Sequence, residues 1–259
     1  NGIDADSVLD CGLSGRTGSW KIRGPDGKSV NLRANKIGSE CFRLWKAADA
    51  QVGDDFHINP EEIESKYFGI LTKIYNVARF ASQFPFEDLR PSVIKPEDVW
   101  ILSEYDNLIK ETMEDWKRID IYSATQKVKV FLTGIFSSHW MELAKTRLYD
   151  SDSSSLWTIH SILSGCLKIF SPVCPLFCHH LSTILYNEST IKVDMYPTPL
   201  GYDLQDRTKI TQSIVKFNTM VWKEKKSQNV SLKSSVSGIQ IPEPLQDYSV
   251  GLTKMHNLV

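Results

Sequence analysis

Between Ala34 and Tyr186 apolar side chains return every three or four positions with polar ones between them, the spacing of helices that bury one face. Ile37, Cys41, Phe42 and Trp45 share one side of a helix predicted over 34–48. Ile63, Tyr67, Ile70, Ile74, Val77 and Ala81 define a second from Pro60 to Gln83, with Asn59 placed to cap it and Phe84-Pro85 to stop it. Pro96-Glu-Asp opens a third, whose acidic first turn suits the positive end of the helix dipole. Its buried stripe is Ile101, Tyr105, Leu108, Thr112 and Trp116. A fourth long helix spans 122–149. A fifth starts near Ser153 and carries Trp157, Leu163, Leu167 and Phe170 to a stop at Ser171-Pro172, and a short sixth covers 175–186. Long helices with short connections predict an antiparallel bundle.

After Glu188 the texture changes. Residues 191–195 alternate like a strand, Pro197-Thr-Pro199 reads as a linker, and 209–225 is amphipathic through Ile210, Ile214, Phe217 and Val221. Residues 236–241 are a second strand candidate. The expected fold is therefore mainly α: a Gly-, Ser- and Asp-rich linker of short strands and loops over 1–33, a helical bundle over 34–199, and a small α+β C-terminal appendage over 200–259.

The 41% hydrophobic and 24% charged composition is that of an ordinary globular chain, and no apolar run approaches the roughly 20 residues of a membrane span. Five cysteines at unrelated spacings argue against a disulfide framework and for a reducing cytoplasm. The opening Asn1-Gly2-Ile3 shows neither a leader pattern nor an initiator Met, which reads as a piece of a longer protein. Cys174, Cys178, His179 and His180 invite a metal reading, but a proline separates the cysteines and no second ligand pair lies nearby, so no metal is expected. His139 and His160 stand alone within helices, and no nucleophile–base arrangement is visible.

A net charge of −1 gives no global attraction to polyanions, so nucleic-acid affinity must come from local charge. One window has it: 207–233 carries seven Lys or Arg against the single Glu224. In the second helix, Lys73, Asn76 and Phe80 fall on one side at i, i+3 and i+7, with Arg79 beside them. A cation, an amide and a ring within reach of one nucleotide suit RNA, which is read mainly in single-stranded loops by stacking and base-edge hydrogen bonds. The bland alternative makes Asn76 and Arg79 polar glue between helices and Phe80 core. Glu142, close to the stripe of Val128, Phe131 and Ile135, is expected to be half-buried and paired with Arg79 or Asn76.

Several ordered motifs add a family to this reading. Gly38-Ser-Glu-Cys-Phe-Arg43-Leu-Trp45 is similar to Y-G-A-D-A-L-R-L-W, Lys73 to Phe80 to K-L-W/Y-N-A-A-R-F, and Trp100-Ile-Leu-Ser103 to W-I-L-S. Ser138 to Tyr149 is similar to S-H-Y-L-E-x-x-K-x-R-x-Y, Phe170 to Leu176 to L-x-P-F-x-P-F, and Lys223 to Lys233, more weakly, to Y-K-x-E-x-x-L-S-L-x. In this order they resemble the helical anticodon-binding region of class I aminoacyl-tRNA synthetases, most closely the valyl-tRNA synthetase family in its archaeal-type branch.

The resemblance implies a tRNA anticodon arm, that of tRNA(Val), as partner of a monomer without a membrane. It implies Lys73, Asn76, Arg79 and Phe80 as the base-reading set, with Tyr75 or Trp140 as further stacking surfaces. Lys145 and Arg147 are either tRNA contacts or cations favoured by the negative end of the fourth helix. Lys223, Lys225 and Lys226 would meet the sugar-phosphate backbone. The family's H-I-G-H and K-M-S-K-S signatures have no counterpart, so no catalytic residue and no cofactor is expected here; ATP and Mg2+ belong to the parent enzyme. The alternatives are the same region of an isoleucyl- or leucyl-tRNA synthetase, or a helical protein-interaction module.

Overall fold

The computed structural model describes residues 19–23, 29–33, 38–49, 63–186 and 196–259. A short antiparallel hairpin, β1 (Ser19–Arg23) and β2 (Ser29–Arg33), pairs Lys21 with Asn31 at its centre. It precedes helix α1 (Gly38–Asp49). A wide turn at Ile63–Tyr67 runs into α2 (Phe68–Ala81), and α3 (Pro96–Lys117) follows after a loop. Next, α4 (Ile121–Val130), a π-helical stretch (Phe131–Trp140) and α5 (Met141–Tyr149) form one continuous rod. Then come α6 (Ser153–Phe170), α7 (Pro175–Tyr186), α8 (Arg207–Ser227), a 3-10 turn (Glu243–Tyr248) and α9 (Ser249–His256).

The helices begin where their end chemistry allows. Pro96 stands at the start of α3 with Glu97 and Asp98 in its first turn. Asp120 and Asp152 cap α4 and α6 by accepting from the backbone N–H of Ser123 (3.0 Å) and Ser155 (3.1 Å). The buried faces match the periodic stripes: Leu71, Ile74, Val77 and Ala81 on α2, and Ile101, Tyr105, Leu108 and Thr112 on α3. The first helix is tied down when Arg43 donates to the carbonyls of Val173 (2.8 Å) and Pro172 (2.9 Å). Gly165 lets α6 approach α3, since a Cβ there would overlap the Tyr105 hydroxyl. The predicted N-terminal features of the second helix, Asn59 and Pro60, lie outside the described residues, as does the strand expected over 191–195.

The expected α+β appendage is not present as such. Ile214, Phe217 and Val221 of α8, with Leu245, Tyr248 and Leu252, belong to the same buried core as the bundle. Trp100 Nε1 donates to Thr211 Oγ1 at 2.7 Å across that junction. The strand expected over 236–241 is reduced to one parallel bridge, Val236 with Leu258. Gly238 turns left-handed there (φ 79°), and Pro242 lacks the N–H a ladder needs. Among the described residues, 196–259 is helix, turn and extended chain.

The π-helical stretch changes which side chains face inward. A wider turn places i and i+5 together, so Phe131, Phe136 and Trp140 stack in sequence, with ring centres 5.9 and 5.2 Å apart. Ile135, expected in the stripe, is only partly buried.

Candidate nucleic-acid interface

The inward face of α2 packs on the bundle, so its opposite edge carries Lys73, Asn76 and Arg79 into solvent. Asn76 and Arg79 side chains have no hydrogen-bond or ion-pair partner among the described residues. Lys73 is exposed but donates through Nζ to the backbone carbonyl of Thr133, an acceptor in the π-helical stretch. Phe80 is partly buried at the end of the same helix. Its ring meets Phe84 edge-on at 5.0 Å and Tyr149 at 6.3 Å, and Phe84 meets Tyr149 at 5.3 Å. Tyr149 remains 59% exposed, and Tyr75 is 44% exposed on the outer face of α2. One end of the bundle therefore brings the exposed Tyr149 ring and the partly exposed Phe80 together on the side of α2 that carries an amide and a guanidinium, groups that stack on and hydrogen-bond with an unpaired base.

Three predicted contacts face inward instead. Trp140 is fully buried, stacked on Phe136, and its Nε1 donates to Asp98 Oδ1 at 3.0 Å. The π-helical register turns it into the core, and the same rotation puts Glu142 outside, paired with Lys145 at 3.2 Å rather than with Arg79 or Asn76. Arg147 donates to both carboxylate oxygens of Asp98, each at 2.7 Å, and to Asp152 at 2.9 Å. Burial disfavours its charge, but the Asp98 hydrogen bonds and the surrounding carboxylates outweigh this and raise its pKa. Lys225 is fully buried, donating to the carbonyls of Leu232 (2.8 Å) and His256 (2.6 Å).

The basic window is thinned in the same way. Arg207 pairs with Glu104 and Lys209 with Asp206, which leaves Lys216, Lys223, Lys226 and Lys233 exposed. Lys216 and Lys223 line a shallow groove of about 540 Å³ along α8 with Met220 between them.

Sequence reasoning missed Tyr149 and Asp98 as parts of this region. Tyr149 ends the motif that begins at Ser138, but only the fold brings the end of α5 beside the end of α2. In sequence Asp98 is simply an acidic residue of a helix's first turn, whereas its carboxylate also accepts from Ser154 Oγ at 2.5 Å and sits beneath Trp140 and Arg147.

The remaining chemistry is structural. His139 and His160 are buried, the latter near the Phe84 carbonyl at 3.3 Å. Cys166, Cys174 and Cys178 are buried free thiols whose pKa burial pushes up, away from metal binding or reactivity. Among the described residues no group of three His, Cys, Asp or Glu side chains is placed to hold a metal ion. No helix among them is long and apolar enough to cross a membrane.

Residues 98–240 match the family model of the anticodon-binding domain of tRNA ligase. This chain belongs to that family. The match includes Tyr149 and the Asp98–Arg147 pair and begins after α2. Relatives extend it: the valine–tRNA ligase of Nanoarchaeum equitans is 27% identical over 224 residues, 86% of this chain and 29% of that protein. The valine–tRNA ligase of Pyrobaculum aerophilum is 25% identical over 244 residues, covering 90% of this chain and 30% of its own length. That of Sulfurisphaera tokodaii is 28% identical over 181 residues, 64% of this chain and 21% of its own. The chain thus spans less than a third of the length of these relatives.

Proposed function

We propose that this anticodon-binding domain grips the anticodon arm of tRNA(Val) as part of a valine–tRNA ligase, acting as a monomer in the cytoplasm. The observation that carries this reading is the end of the bundle where exposed Asn76 and Arg79 stand beside Phe80 and Tyr149. Unpaired bases of the loop stack on the open rings, the Asn76 amide hydrogen-bonds a base edge, and Arg79 meets phosphate. Lys223 and Lys226, with Lys216, present charge to the backbone from the exposed face of α8, and Lys145 shares its charge with Glu142. ATP, Mg2+ and the ligation chemistry belong to the rest of such an enzyme. The valine assignment, rather than isoleucine or leucine, draws on the named relatives.

The test compares binding of the chain and its Phe80→Ala and Asn76→Ala variants to a valine tRNA transcript. Each variant is expected to bind about five- to 150-fold more weakly while melting at the parent temperature, since stacking and base-edge contacts are worth roughly 1–3 kcal/mol. Unchanged binding in both variants would remove α2 from the interface.

A further inference from the structure

We infer that Arg147, held by Asp98, is a positioning residue that fixes Tyr149 beside Phe80 and so sets the slot in which an unstacked nucleobase lies. The inference rests on the RNA-binding reading above and adds to it the part of the fold that builds the site.

The Arg147 guanidinium is turned into the protein, with side-chain exposure of only 16%, and is surrounded by Glu97, Asp98 and Asp152 rather than presented to a phosphate. Nη1 donates to Asp98 and Asp152, Nη2 donates to Asp98, and Nε is buried without a partner. Its guanidinium joins the start of α3 (Asp98), the last turn of α5 (its own helix) and the cap of α6 (Asp152). Two parallel hydrogen bonds to one carboxylate fix distance and angle together, which a lysine ammonium cannot do.

The turn from α5 into α6 is short and tight. The Asp152 N–H donates to the Arg147 carbonyl at 3.0 Å and the Ser151 N–H to the Leu148 carbonyl at 3.1 Å, with Ser151 in the left-handed region (φ 57°). Tyr149 lies within this turn. Its described ring contacts are edge-on, against Phe80 of α2 and Phe84 just beyond it, and do not by themselves set how far the ring projects. The height of the Tyr149 ring over Phe80 is therefore set by where α5 ends, and the Asp98–Arg147–Asp152 tie sets that end.

The test is a double-mutant cycle on the full 259-residue chain, with a stem-loop RNA carrying a valine anticodon as probe. Tyr149→Ala is expected to weaken binding about tenfold. Asp98→Asn, which keeps the side-chain shape but frees Arg147, is expected to weaken it by about the same factor with an unchanged salt slope. The Asp98→Asn/Tyr149→Ala pair should bind no more weakly than Tyr149→Ala alone. Tighter binding by Asp98→Asn would show Arg147 freed to meet phosphate, and equal binding would show that its pairing does not position Tyr149; either overturns the inference, as would fully additive losses. Melting curves check that each variant is folded at the assay temperature. If Asp98→Asn is not, Asp152→Asn keeps the α6 cap, removes one carboxylate from Arg147 and runs the same cycle. Loss of binding in Tyr149→Ala with no response to either carboxylate variant overturns this inference alone, whereas no binding by the parent chain overturns the proposed function with it.

Discussion

Burial separates the cations that hold this fold together from those free to meet a polyanion, even where they are neighbours in sequence. Lys225 and Lys226 are adjacent, yet Lys225 is buried against two carbonyls and Lys226 is exposed. Lys225→Ala should lower stability by roughly 2 kcal/mol by leaving buried acceptors unmet. Lys226→Ala should leave melting within about 0.5 kcal/mol and weaken only RNA binding. Thermal melts paired with filter binding separate the two. Trp140→Ala should cost about 3–5 kcal/mol, the loss of a fully buried indole together with its bond to Asp98. Among individual residues, Asn76, Arg79 and Phe80 are legible from their spacing on one helix. Arg147 and Lys225 are not, because a charged side chain looks the same in sequence whether its partner is water or a carboxylate 49 residues away.

At the scale of elements, the helices follow their apolar period closely: 175–186 has the predicted limits, and the third helix starts at Pro96 as its end signals require. The π-helical stretch is invisible to a 3.6-residue period. Phe131, Phe136 and Trp140 are spaced by five and four, and the widened stretch moves Trp140 in and Glu142 out. The short C-terminal elements are not legible locally because their partners are distant. Gly165→Ala should destabilise the α3–α6 crossing by about 1–3 kcal/mol, since the new methyl would overlap Tyr105; a melt of that variant checks it.

The docking of α9 also carries a pH dependence. Asn218 joins two buried imidazoles: its amide nitrogen lies 3.0 Å from His139 Nδ1, and its oxygen 2.8 Å from His256 Nε2. Burial first, then the charges of Lys225 and His139, lowers the His256 pKa to about 4, and burial lowers that of His139. A base with a depressed folded pKa stabilises the fold above its ordinary value near 6.5, and that contribution is lost as pH falls towards 4. For His256 the loss is on the order of 3 kcal/mol. Melting temperature should therefore fall more steeply between pH 6.5 and pH 4.5 for the parent chain than for His256→Gln. Parallel slopes would show that His256 binds its proton equally in the folded and unfolded chain, so that burial does not lower its pKa.

Across the whole molecule, a chain of net charge −1 is proposed to bind RNA through local chemistry: one bundle end with open rings, an amide and a guanidinium, and a separate exposed lysine face on α8. Such a division predicts two kinds of dependence. Changes on α8 alter affinity for all RNAs alike and reduce its salt sensitivity, while changes at Asn76, Phe80 or Tyr149 alter the preference among loop sequences. The most direct test is equilibrium binding of this chain to a valine tRNA transcript and to one differing only in its anticodon bases, at matched salt. Binding to the intact anticodon should be at least about tenfold tighter, a difference that disappears in Phe80→Ala. Equal affinity for the two transcripts would contradict this reading.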